Sequence, residues 1–139
     1  MADTIRMVEY YFTMVSDKPG EAARLLGVLS DARVNLLAFS GFPSQRKSQV
    51  DFVPADPPAF LAAAKAARLK LSKAKQAFLI EGDDRPGALA GTLRRLAAAK
   101  LNVTAVDGLC AGMGRYGAIL WVKPRDVKKA AAALGVMGT

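Results

Sequence analysis

The chain has 139 residues, no histidine and a single cysteine, Cys110. Without histidine, a serine or cysteine nucleophile lacks its usual general base. A zinc site would have to be assembled from one thiol and carboxylates, a poor donor set for that ion. No metal or other cofactor is therefore expected. Asp, Glu, Lys and Tyr remain as bases in principle, but no constellation of them stands out, so no catalytic residue is assigned. One cysteine excludes an intrachain disulfide, and at the end of an apolar run Cys110 reads as a small buried side chain. No run of about 18 apolar residues is present, so a membrane-spanning helix is not expected. The opening Met1-Ala2-Asp3-Thr4-Ile5-Arg6 lacks the apolar centre of a signal peptide. These absences together point to the cytoplasm.

Charge of one sign is in excess: 20 Lys plus Arg stand against 12 Asp plus Glu, a formal net charge of +8. That balance permits attraction to polyanions. It equally serves solubility, because the bases are dispersed and never form a block of five or six. At 52% hydrophobic and 23% charged, the composition excludes extended disorder. The length suits one domain or two unusually small ones.

Self-similarity decides between them. Asp17-Lys18-Pro19-Gly20 recurs as Asp84-Arg85-Pro86-Gly87, 67 residues later. At the same offset Asn35 falls on Asn102, Gly41 on Gly108, Pro57 on Pro124, and Leu26 and Leu29 on Leu93 and Leu96. A repeated supersecondary unit follows, with domains expected at 5–72 and 73–139.

Each copy has the same order of signals. Residues 8–15 and 76–82 are rich in β-branched and aromatic types and read as strands. Asp-x-Pro-Gly is turn chemistry that also opens a helix. Leu25, Leu26 and Leu29 then recur at helical spacing, as do Leu89, Leu93 and Leu96, and both stripes are expected to be buried. Asn35 and Asn102 sit at the step into a second strand. A loop, a third strand (49–53, 117–122) and a Pro-initiated alanine-rich helix (57–68, 124–134) complete the copy. Residues 69–75 supply a last strand to the first copy, giving βαββαβ, the ferredoxin-like unit. Gly135–Thr139 is too short to do so in the second, so that edge should be short or filled by something else.

A strand, then Asp-x-Pro-Gly opening an amphipathic helix, then a hydrophobic-Asn-hydrophobic step resembles the ACT domain family, twice over nearly the whole chain. The resemblance implies an α+β fold of two tandem ferredoxin-like domains, forming one continuous antiparallel sheet with helices on one face. It implies a non-catalytic regulatory or sensor protein that binds a small molecule, typically a free amino acid. The family's ligand lies between the first loop of one domain and the start of strand two of its neighbour. The residues at matching positions are Asp17, Gly20 and Asn35, and Asp84, Gly87 and Asn102. Val15 and Gly82 stand where the family often carries a polar residue. The chemistry agrees: unpaired N–H groups at a helix start suit a carboxylate, glycine admits close approach, and aspartate accepts from an ammonium. Each motif also has a plain structural use, as helix cap or turn.

Two motifs point elsewhere. Gly112-Met113-Gly114-Arg115-Tyr116-Gly117 matches the dinucleotide pattern G-x-G-x-x-G, but it leads into Ala118-Ile119-Leu120-Trp121-Val122, a strand and not a helix. A flexible hairpin is the better reading. Residues 115–122 approach an RNA-recognition consensus, with Tyr116 where glycine belongs and Gly117 and Ile119 at the stacking positions. A basic single-stranded nucleic-acid binder of ferredoxin-like shape is thus the alternative, and the weaker one. Small domains with an unpaired sheet edge favour a homodimer.

Overall fold

A computed structural model describes residues 3–136. Of the short C-terminal piece anticipated above, Met137–Thr139 lies outside the described residues. The elements are β1 (Thr4–Ser16), α1 (Glu21–Asp31), β2 (Leu36–Ser44), β3 (Lys47–Pro54), α2 (Pro57–Ala66), β4 (Lys75–Asp83), α3 (Ala90–Ala98), β5 (Ala105–Gly112), β6 (Arg115–Trp121) and, after a 3-10 turn at Pro124–Asp126, α4 (Val127–Leu134). The chain divides into two compact units. One holds Glu9–Lys75; the other joins the segment ending at Val8 to the chain from Gln76 onward.

In the unit Glu9–Lys75 the strand order is β2-β3-β1, antiparallel throughout. Alternation along the strands sends Tyr11, Val50 and Phe52 to one face, where Leu25 and Leu29 of α1 and Phe60 of α2 meet them. Phe60 anchors the packing, its ring 5.4 Å from Tyr11 and 5.3 Å from Phe52. Leu26 departs from the expected stripe: it is 37% exposed, at the edge of the face whose centre Leu25 and Leu29 occupy. Asp56 caps α2 by accepting from the Ala59 amide at 3.2 Å. The anticipated last strand is only sketched. Residues 69–74 follow β1 through Ser72 N to Phe12 O (2.8 Å), Phe12 N to Ser72 Oγ (3.0 Å) and Thr13 Oγ1 to Lys70 O (2.7 Å), without a regular ladder.

In the other unit β4, β6 and β5 pair antiparallel, with Phe78 opposite Leu120 and Leu120 opposite Val106. Phe78, Ile80, Ala118 and Leu120 face Leu96 of α3 and Ala130 and Leu134 of α4. Leu89 and Leu93 are only partly buried against this cluster. The sheet position beside β4 is taken by the first residues of β1, and Ile5 and Met7 pack on this core. β1 is thus a single 13-residue strand whose first residues belong to one unit and the rest to the other.

The dinucleotide-like run forms the β5–β6 hairpin. Its turn residues Met113 and Gly114 have φ of 62° and 68°, the paired positive values of a two-residue hairpin loop. Gln45 and Arg46, at 50° and 69°, close the β2–β3 hairpin in the same way. A bulge between Cys110 and Gly112 puts the second hairpin one residue out of the fixed repeat. Cys110 is exposed, contrary to the sequence reading, because β5 ends its strand order and all 8 of its residues face solvent.

If Thr4–Val8 completes the second core, Ile5→Asp should speed amide hydrogen exchange in β4 and β6. Exchange in α1 and α2 should change much less. Uniform loss of protection along the chain would contradict this division of labour.

Candidate functional site

The first loop corner forms where β1 ends. Lys18 N donates to Ser16 O at 2.9 Å, and Gly20, at φ 91°, swings the chain into α1, its carbonyl accepting from Arg24 N at 2.9 Å. That φ favours glycine, and the space beside Gly20 is open: a Cβ there would meet nothing within 4 Å. The Asp17 carboxylate accepts from Ser48 Oγ at 3.2 Å, and α1 has no side-chain cap. Asp17 is therefore not spent on the helix start.

The second corner repeats the device with a longer lead-in. Asp84 N donates to Gly114 O at 2.8 Å, which ties the corner to the β5–β6 turn. Ala88 N then donates to Arg85 O (3.2 Å) and Ala90 N to Gly87 O (2.9 Å), with Gly87 at φ 71°. No side chain caps α3 either. The Asp84 carboxylate lies beside Cys110, where it holds the thiol pKa above its usual value.

Asn35 and Asn102 are both exposed, and neither side chain bonds a group among the described residues. Position separates them from the corners. Asp17 meets Ser48 near the start of β3, whereas the Asn35 carbonyl accepts from Ala55 just beyond its end, at 3.0 Å. Asp84 likewise meets the turn ahead of β6, while Thr104, two residues after Asn102, donates to Trp121 O at its far end. Each unit thus brings together its aspartate and glycine, and holds its asparagine at the opposite end.

Beside the second corner stands a cluster that no sequence motif marked. The Asp3 carboxylate occupies the space where a Cβ at Gly82 would sit, and so supplies the polar group that this strand position lacks. Arg85 grips it with two hydrogen bonds, Nη1 to Oδ1 at 3.1 Å and Nη2 to Oδ2 at 3.3 Å, and donates a third to Asp83 O at 2.8 Å. The hydrogen bond from Arg85 outweighs burial, which pushes the other way, and holds the Asp3 pKa below the ordinary carboxylate value. Burial first, and Asp3 second, push the neighbouring Tyr116 hydroxyl up to about 12. A cavity of about 390 Å³ opens here, lined by Asp3, Gly87, Thr92 and three arginines, Arg85, Arg94 and Arg95. The one legible signal was Gly82, since a glycine inside a strand marks close approach by another group.

The two units, each an antiparallel sheet backed by two helices with loop corners at the strand ends, define a tandem α+β fold of the ACT type. No family model and no curated protein matches the chain. Solved structures do. Protein BT0572 of Bacteroides thetaiotaomicron matches with a TM-score of 0.80 at 18% identity, over 93% of this chain and 87% of that one. The ligand-free regulatory subunit of aspartate kinase from Thermus thermophilus matches with a TM-score of 0.64 at 14% identity, over 97% and 96%. Its counterpart from Thermus flavus gives 0.59 at 17% identity, over 96% and 94%. At such identities the likeness is one of fold.

The Asp3–Arg85 pair sets a pH signature. Because the folded pKa of Asp3 is depressed, its stabilising contribution is present above the unfolded carboxylate value, about 3.9. It is lost as pH falls through the lower folded value. Asp3→Asn should therefore lower the urea midpoint at neutral pH, and the gap to the parent chain should close below about pH 4. A gap independent of pH would assign Asp3 a purely steric role.

Proposed function

We propose that the chain is a non-catalytic regulatory or sensor protein that binds a small molecule, most simply a free amino acid. The reading is carried by one observation: the corner carboxylates and both asparagine side chains are left unused by the helix starts and turns that would otherwise explain them. The fold shared with aspartate kinase regulatory subunits supports it. Asp17 or Asp84 would accept from the ligand ammonium, and amides near Gly20 or Gly87 would receive its carboxylate. Since each unit holds its own asparagine away from its own corner, Asn35 or Asn102 would be contributed by a neighbouring ACT-like domain in the assembly. β2 and β5 stand at the ends of the strand order, and an open strand edge favours pairing with a second copy. A homodimer is the assembly proposed.

A melting-temperature screen of the twenty amino acids tests the reading. A ligand at about 100 times its Kd adds roughly 2.7 kcal/mol, or several degrees at about 2–4 °C per kcal/mol. Asn102→Ala should weaken binding about ten-fold or more, and Asn35→Ala should match it if both corners are used. If both variants instead melt lower without ligand and keep the full ligand shift, the asparagines are turn residues. Sedimentation equilibrium should return twice the chain mass, and a monomer at tens of micromolar would remove the dimer from the proposal.

A further inference from the structure

The cavity beside α3 has a charge pattern that the amino-acid reading does not use. Its lining holds three guanidinium groups against one carboxylate, Asp3. Arg85 is engaged by Asp3, and Arg95 donates through Nε to Ala133 O at 3.1 Å, which leaves its terminal nitrogens for other partners. Arg94 is exposed and makes no ion pair among the described residues. The first turn of α3 carries no acidic residue that would repel an anion. Thr92, only 5% exposed, adds a hydroxyl to the wall, and Gly87 and Gly91 keep the floor free of bulk. The volume, about 390 Å³, lies in the range of small-molecule sites, about 300–1,000 Å³.

We infer that this cleft binds a small molecule through a doubly charged oxyanion group, a phosphomonoester or a dicarboxylate. Arginine forks match such groups with paired, charge-assisted hydrogen bonds, and a single zwitterion would leave one of the two available guanidinium groups without a counter-charge. Asp3 is the cleft's internal competitor: its carboxylate occupies the fork of Arg85 that an incoming anion would otherwise take. The site takes in Arg85, Gly87 and Ala88 of the second corner but not Asp84, and it needs no asparagine from a neighbouring domain.

Isothermal titration of the whole chain with inorganic phosphate and with succinate, against chloride at equal ionic strength, tests the inference. One or both probes should bind, and their ratio tells phosphate from dicarboxylate. Arg94→Ala should weaken the better probe about ten-fold or more, whereas Arg24→Ala, the same charge change in the other unit, should not. Asp3→Asn should act in the opposite direction and tighten binding several-fold. Any amino-acid response should survive Arg94→Ala and fail in Asn102→Ala, which separates the two readings. The inference is overturned if neither probe exceeds chloride, or if Arg94→Ala and Arg24→Ala behave alike.

Discussion

Everything in this molecule depends on one strand doing two jobs. β1 is 13 residues long; Ile5 and Met7 pack on the core around Phe78 and Leu120, while Tyr11 packs on the core around Phe52 and Phe60. A small α+β unit exposes too much apolar surface unless each position in its sheet is filled. In the second unit the position beside β4 is filled by Thr4–Val8.

That arrangement also explains what the sequence discloses and what it conceals. Local chemistry is legible: Asp-x-Pro-Gly ends a strand and opens a helix, and Leu25, Leu29 and Leu96 lie on buried helix faces. The constant offset between the copies is enough to expose the repeat. Partner choice is not local. The β-branched and aromatic content of residues 8–15 announces a strand but cannot say that it begins at Thr4 or that its first and last residues serve different cores. Spacing alone also admitted Leu26 to the buried stripe, although it lies beside the Leu25–Leu29 line and faces water. Cys110 looked internal because its neighbours are apolar; its strand ends the order, and nothing in the composition of a strand reports that.

The candidate site was legible to the same extent. The sequence placed both aspartates and both glycines at loop corners beside helix starts, and the structure puts them there. It left open whether the aspartates cap their helices; their carboxylates turn instead to Ser48 and Cys110. The arginine cleft was hidden because Asp3 and Ile5, which complete its wall, come from far away in the chain. Asp3 meets Arg85 across 82 positions of sequence, through a strand pairing that no pattern foretells.

The divided strand has a consequence for how the protein is made. Ribosomes deliver Thr4–Val8 well ahead of β4, beside which they pair and which begins at Lys75, and the core they cover is complete only when α4 has emerged. At about 5–20 residues per second, the unit Glu9–Lys75 can collapse while synthesis is still in progress. Its leading segment must then wait several more seconds, apolar and unpaired. Every nascent copy passes through an interval with a finished first unit and an unpaired segment carrying Ile5 and Met7. On a crowded polysome, the same segment could be captured by another chain's unfinished core. The economy that completes the second unit thus carries a kinetic hazard, concentrated in the seconds of translation and absent from the mature fold.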